Sequence, residues 1–319
     1  EKVKGVATTL MDEKVSCSCK GVRTCRLCEA SKQQAACTSR DRVSFALCWR
    51  CGHMMRVDGK AELLVDDGRM LECQREGSCQ ERRVLVAPWP HGECTGRGGM
   101  GGEPFGVTLV KDFVSEAEER QMIEEMDRWP WTASQSGRLK QDFGPNVNFK
   151  KQKLKWDRFT GLPSFSQSIV HRLHTHPHTA ALLHSFAPVE LCNLDYRIER
   201  GAAIDPHFDD AWLWGERLVT VSLVGNSYLT FTTSDYGVAV PMPRRSLIVV
   251  DGPARQVWRH EIRREHIIGR RVGVTMRELT PLFTPVEGAS DDELTTEQRA
   301  GRELLRIANN FDGKPLNAP

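Results

Sequence analysis

The stretch Asp205-Pro206-His207-Phe208-Asp209-Asp210 limits what this chain can fold into more than any other. On an extended strand, residues two apart leave the same face, so His207 and Asp209 can reach one ion. A third donor, His260, stands in Trp258-Arg259-His260-Glu261-Ile262, and two arginines follow in Arg271-Val272-Gly273-Val274-Thr275-Met276-Arg277. Equal parity puts Arg271, Gly273, Thr275 and Arg277 on one strand face. A lone His-x-Asp is a weak pattern, but this ordered set ties five positions to one arrangement. The fold must therefore be a β framework that directs polar side chains from several strands into one cavity.

Two imidazoles and a carboxylate on one side of an ion form the facial triad of non-haem Fe(II) oxygenases, which leaves open positions for cosubstrate and oxygen. Two arginines on a shared face suit a dicarboxylate, because a guanidinium captures a carboxylate through paired hydrogen bonds. The alternative for the arginines is a solvated strand edge. Around these residues lie successive short β-runs at 189–196, 218–224, 228–232, 238–240 and 246–250, with Gly, Asn and Pro between them. Regular short strands predict an α+β, mainly β chain built on a double-sheet jelly roll, the double-stranded β-helix, whose mouth holds the triad.

Composition bounds the rest. The 44 Lys and Arg nearly cancel the 42 Asp and Glu, so the formal charge of +2 excludes binding to nucleic acid or membranes through bulk charge. No apolar run reaches the roughly 18 residues of a membrane span, and an apolar leader core is lacking, which predicts an intracellular protein, cytoplasmic and nuclear, with no membrane partner. Apart from Cys192, the 11 cysteines all fall within the first 94 residues. In a reducing compartment such grouping favours metal over disulfides. Cys17, Cys19, Cys25 and Cys28 form C-x-C-x5-C-x2-C, a density that suits zinc or an iron-sulfur cluster, the alternative being four free thiols. Cys48-x2-Cys51 with His53 lacks a defined second half, and Cys73, Cys79 and Cys94 have no ligand spacing.

The Gly-rich run from Gly96 reads as a linker, dividing the chain into a Cys-rich region over 1–103, a catalytic domain over 104–285 and a C-terminal helical segment over 286–319. Ser115 and Glu118 predict a capping box for a helix that directs Met122, Ile123 and Met126 to the core. From Trp131 to Trp156, Lys150, Lys151, Lys153 and Lys155 interleave with Phe143, Phe149 and Trp156, a pattern for phosphates and bases, for an acidic protein surface, or for a solvated loop. The histidines at 171, 174, 176, 178 and 184 read as a surface helix-turn. Trp212 and Trp214 stand at strand parity and either pack in the core or line a substrate mouth.

The triad, the two arginines and several long motifs resemble the AlkB-type Fe(II)/2-oxoglutarate dioxygenases. Ser134-Gln-Ser-Gly-Arg138, Val147-Asn-Phe-Lys-Lys-Gln-Lys-Leu-Lys155, Gly161-Leu-Pro-Ser-Phe165 and 205–217 resemble the AlkB homologue 4 subfamily in particular, as does the cysteine pattern at 17–28. The resemblance covers about residues 17–29 and 105–310. It implies that His207, Asp209 and His260 bind iron, that Arg271 pairs with the distal carboxylate of 2-oxoglutarate, that Arg277 sits near its metal-bound end, and that Tyr196 and Asn193 touch the cosubstrate. It further implies oxidative N-demethylation with release of formaldehyde, acting on methyl-lysine in a protein such as actin, with N6-methyladenine in DNA as a second substrate class. The contrasting possibility is a zinc-dependent binding module that carries an inactive barrel.

Overall fold

The structure is a computed structural model and describes residues 42–57, 63, 69–73, 79–88 and 105–317. Strands β1 (Val43–Leu47), β2 (Met54–Val57), β3 (Val84–Val86) and β4 (Val107–Val110) come first, followed by helix α1 (Glu116–Asp127). Next are β5 (Thr132–Ala133), β6 (Leu139–Phe143), β7 (Asn146–Asn148), β8 (Lys153–Lys155), α2 (Phe165–Thr175) and α3 (Ala180–Leu183). The remainder is β9 (Pro188–Arg197), β10 (Ile204–His207), β11 (Trp214–Leu223), β12 (Ser227–Thr232), β13 (Tyr236–Met242), β14 (Leu247–Val250), α4 (Gly252–Gln256), β15 (Arg259–Ile262), β16 (Arg270–Leu279) and α5 (Thr296–Ala308).

These strands form a six-stranded sheet in the order β10-β15-β12-β13-β1-β2 and an eight-stranded sheet in the order β3-β4-β14-β11-β16-β9-β6-β5. The two sheets face each other across a shared core in which Phe45, Phe231 and Val238 of the smaller sheet meet Leu109, Leu218 and Ile248 of the larger. Alternation explains how one sheet serves two cores. In β14, Ile248 and Val250 point inward between the sheets, while Leu247 and Val249 point outward into a second core. That outer core is closed by α1 through Met122 and Met126, by α2 through Ile169 and Leu173, and by α5 through Leu304 and Ala308. The jelly-roll expectation is met. Helices α1, α2 and α5 lie outside the larger sheet, while Ala254 of α4 packs into the core between the sheets.

The α1 start follows its sequence signature: the Ser115 amide donates to Glu118 Oε2 at 2.7 Å, and the Glu118 amide donates to Ser115 Oγ at 3.2 Å. Helix α5 uses the same device with Thr295 and Gln298 and lies against the larger sheet. Three strands from the region ahead of the Gly-rich run join the sheets. β1 runs parallel to β13 with Val43 opposite Tyr236, β2 pairs with β1, and β3 pairs with β4. The described part of residues 1–103 is therefore hydrogen bonded into the same framework as the strands that follow, although the linker itself lies outside the described residues. No helix among the described residues is long and apolar enough to cross a membrane.

One buried histidine makes the framework sensitive to pH. His266 is 4% exposed and lies against the Tyr228 ring at 5.3 Å. Burial holds its pKa down at about 4, against 6.5 for an unburied imidazole. A depressed histidine contributes stability that is present above the unfolded value and is lost as the pH falls through this window, because only the unfolded chain takes up the proton. Denaturant unfolding should therefore lose up to about 3 kcal/mol between pH 6.5 and 4 through this residue. His266→Gln should flatten that part of the stability curve. An unaltered slope would contradict the assignment.

Candidate active site

Strand β10 pairs antiparallel with β15 so that His207 stands directly opposite His260. Their rings lie 4.3 Å apart between centroids. Asp209 follows the end of β10, and its Oδ2 is 3.9 Å from His260 Nε2. One donor atom from each of the three falls within 4.8 Å of the others, close enough to share one ion. The sequence expectation of a convergent triad is thus realised by cross-strand register for the two histidines, while Asp209 lies past the strand end and is brought to them by the loop rather than by strand parity.

The protonation states suit a metal. The carbonyl of Asp205 can only accept, so the 2.8 Å contact makes His207 Nδ1–H the donor and leaves the Nε2 lone pair for a ligand. Burial alone would raise the Asp209 carboxyl. The Arg277 guanidinium and the two imidazoles outweigh it and hold Asp209 far below the usual carboxylate range, so it is ionised. Arg277 donates from Nη2 to Asp209 Oδ1 at 3.0 Å and from Nη1 to Glu190 Oε2 at 2.7 Å. It fixes one carboxylate oxygen and leaves the other turned toward His260. Two imidazoles and one oriented carboxylate, all on one side of the shared point, fit Fe(II), which would supply oxygen activation when bound.

Arg271 occupies the same face of β16, deeper in the sandwich, and is 2% exposed. Its partners are the Ser222 hydroxyl at 3.3 Å, the Met242 sulfur at 3.7 Å and the Tyr196 ring at 5.1 Å, and among the described residues it makes no carboxylate ion pair. A buried cation without an anion costs several kcal/mol, and arginine cannot escape by losing its proton. A carboxylate ligand would remove that cost. The side chain also folds back over Gly273: a Cβ there would lie 3.1 Å from Arg271 Nη1. This turns the guanidinium toward the metal end by roughly two residues of strand, about 7 Å.

Tyr196 is opposite Arg271 in register on β9 and faces it. Asn193 does not share that face. It projects into the helix-covered layer, where its Nδ2 donates to Gln141 Oε1 at 3.0 Å, and Gln141 in turn donates to the Met126 and Trp129 carbonyls. Positions 193 and 196 have opposite parity on a strand, so only Tyr196 can attend the cavity. Cys17, Cys19, Cys25 and Cys28 lie outside the described residues. The His171–His178 segment forms no metal-ligand group among the described residues; His174 Nε2 instead contacts the Phe186 carbonyl at 2.8 Å.

The metal loop has supports that spacing alone could not reveal. Arg255 of α4 is 5% exposed and donates to the carbonyls of Asp209 at 3.0 Å, Asp210 at 3.1 Å and Trp214 at 3.2 Å. The Asp210 carboxylate accepts the amides of Trp212 at 2.8 Å and Leu213 at 3.3 Å, so its role is to close the turn. The two tryptophans divide: Trp212 packs edge-on against Phe283, whereas Trp214 lines the cleft beside Phe149. That cleft, of about 850 Å³, opens over His207 and Asp209 and is walled by β6, β9 and the β7–β8 hairpin.

Loss of a metal-orienting contact commonly weakens metal affinity ten- to a hundredfold. Arg255→Met should therefore weaken Fe(II) or Mn(II) binding by about that factor in a metal titration while leaving the α1 and α5 helices folded. Undiminished affinity would show that Arg255 does not position the loop.

No protein-family model matches the chain. It is similar to the human alpha-ketoglutarate-dependent dioxygenase alkB homolog 4, at 40% identity over 94% of this chain and 95% of that one. The mouse protein of the same name is 38% identical over 94% and 96%. A DNA N6-methyl adenine demethylase of Caenorhabditis elegans is 32% identical over 92% and 94%. Similarity of this extent includes the whole of the site described above, and the chain belongs to the AlkB family of Fe(II)- and 2-oxoglutarate-dependent dioxygenases.

Proposed function

We propose that this dioxygenase is an oxidative N-demethylase that releases formaldehyde, with methyl-lysine in an actin-like protein as its substrate. The observation that carries the reading is the cleft over the triad. Its walls bring the aromatic rings of Phe149, Phe208 and Trp214 to the same opening as His207 and Asp209, while the lining carboxylates of Glu190 and Asp142 are engaged by Arg277 and Lys140. Aromatic rings suit a methylated ammonium through cation–π attraction. The iron would activate oxygen at the triad while the protein orients the reacting methyl group. Arg277 keeps Asp209 ionised and in place, Arg271 receives the far carboxylate of 2-oxoglutarate, and the closed sandwich excludes bulk water from behind the metal.

A second reading, N6-methyladenine in DNA, is favoured by the hairpin at the cleft rim. Lys150, Lys151, Lys153 and Lys155 are all exposed there, next to the half-exposed Phe149. Exposed cations beside an aromatic ring grip phosphate and stack bases. The C. elegans relative bears the name of such an enzyme.

A formaldehyde-release assay on methyl-lysine peptides or actin, run beside methylated adenine in DNA, separates the two. The proposal expects release from the methyl-lysine substrates with matching succinate, and loss of both in His207→Ala and Asp209→Ala. Turnover retained in either variant would sink the triad assignment. Release from DNA alone, with a salt slope that shrinks by about one per lysine neutralised, would favour the second reading.

A further inference from the structure

The described residues hold a second convergence of donor groups, remote from the iron site in strand order. Cys48 follows β1, Cys51 lies in the turn to β2, Cys73 follows the short bridge at Met70, and Cys79 precedes β3. The four sulfurs lie within 4.8 Å of one another. Cys48 Sγ is 3.6 Å from Cys79 Sγ, Cys51 Sγ is 3.6 Å from Cys73 Sγ, and Cys79 Sγ is 3.8 Å from Cys51 Sγ. We infer that Cys48, Cys51, Cys73 and Cys79 bind one tetrahedral zinc ion, which fastens an edge of the smaller sheet to an edge of the larger.

The distances distinguish between chemistries. A disulfide needs about 2.05 Å between sulfurs, and these pairs stand well beyond it. Four thiolates at a Zn–S distance of about 2.3 Å occupy a tetrahedron whose edge is about 3.8 Å, close to the spacing observed. In a cubane iron-sulfur cluster each cysteine holds a different iron, which demands wider separation than donors sharing one ion. The backbone is arranged for the same purpose. Gly52 takes φ +75°, and its amide donates to the Cys48 carbonyl at 2.9 Å, closing a tight C-x2-C turn. The Cys73 amide donates to Cys48 Sγ at 3.3 Å, a bond that favours a thiolate there. Four cysteine ligands leave no open position, so the site is structural.

Its position explains its use. β1 and β2 form one edge of the smaller sheet, and β3 forms one edge of the larger. The triad sits at the other end of the smaller sheet, on β10 and β15. Between the two cysteine-bearing edges the described residues supply isolated backbone bonds, such as Arg82 N to Arg50 O at 2.8 Å and Trp49 N to Leu71 O at 3.2 Å. Among the described residues the local apolar cluster is small, with Ala46, Leu63, Met70, Tyr228 and Ala239 as its buried members. A metal supplies folding free energy where so small a core cannot.

Residue-resolved alkylation of the full zinc-replete chain, read by peptide mass spectrometry, tests this directly. Cys51 and Cys79 are only partly buried, so burial alone would not protect them. The inference expects both to resist alkylation until a chelator strips the metal, after which all four react. It also expects Cys73→Ser/Cys79→Ser to lose one equivalent of zinc relative to the unaltered chain, whatever Cys17, Cys19, Cys25 and Cys28 retain. Prompt labelling of Cys51 and Cys79 in the native protein, a Cys48–Cys79 or Cys51–Cys73 disulfide in the mapped peptides, or iron in place of the lost zinc would overturn it. The alkylation result holds on the unaltered chain even if the double variant fails to fold.

Discussion

The antiparallel register of β10 on β15 is the constraint on which the rest of the site depends. It sets His207 opposite His260 and places Asp209 just past the strand end, where the chain is free to turn its carboxylate back. A slip of one residue would send His207 to the other face and dissolve the triad. The surrounding charges defend that geometry. Arg277 holds Asp209 from the side chain, and Arg255 holds the carbonyls of Asp209 and Asp210 from behind. Two arginines from separate elements, β16 and α4, thus fix the start of a loop that Trp212 and Leu213 anchor in the outer core.

The second constraint is the buried charge of Arg271. Folding carries its guanidinium into the sandwich with a hydroxyl, a thioether and an aromatic ring as partners. None of them neutralises it. A ligand with a carboxylate would recover part of that cost. Gly273 is what lets the side chain fold toward the metal, since any Cβ there would press on Nη1. The triad and the arginine therefore stand toward two ends of one inner face, with Gly273 between Arg271 and Arg277 on β16.

Much of this was legible in the sequence, for identifiable reasons. Strand parity placed Arg271 with Arg277, the two-residue spacing paired His207 with Asp209 although Asp209 lies beyond the strand, and the β-runs marked β9, β11, β12, β13 and β14 because Gly, Asn and Pro separate them cleanly. The capping box at Ser115 set the start of α1 by local chemistry alone. Asn193 failed on the same parity rule that succeeded elsewhere: it is an odd number of positions from Tyr196, and the outer layer claims it through Gln141. Arg255 carried no signal, since its partners are backbone carbonyls brought near only by tertiary folding. Cys73 and Cys79 were equally silent, because their link to Cys48 and Cys51 arises from the pairing of β1 and β3 into different sheets.

Iron at His207, Asp209 and His260 and a carboxylate at Arg271 would occupy separate parts of one centre. Titration of 2-oxoglutarate into anaerobic Fe(II)-loaded protein tests it most directly, comparing the unaltered chain with Arg271→Ala. The variant should keep its metal affinity and lose 2-oxoglutarate affinity on the order of a hundredfold, as expected when a buried charge partner is removed. Unchanged 2-oxoglutarate affinity in Arg271→Ala would contradict it.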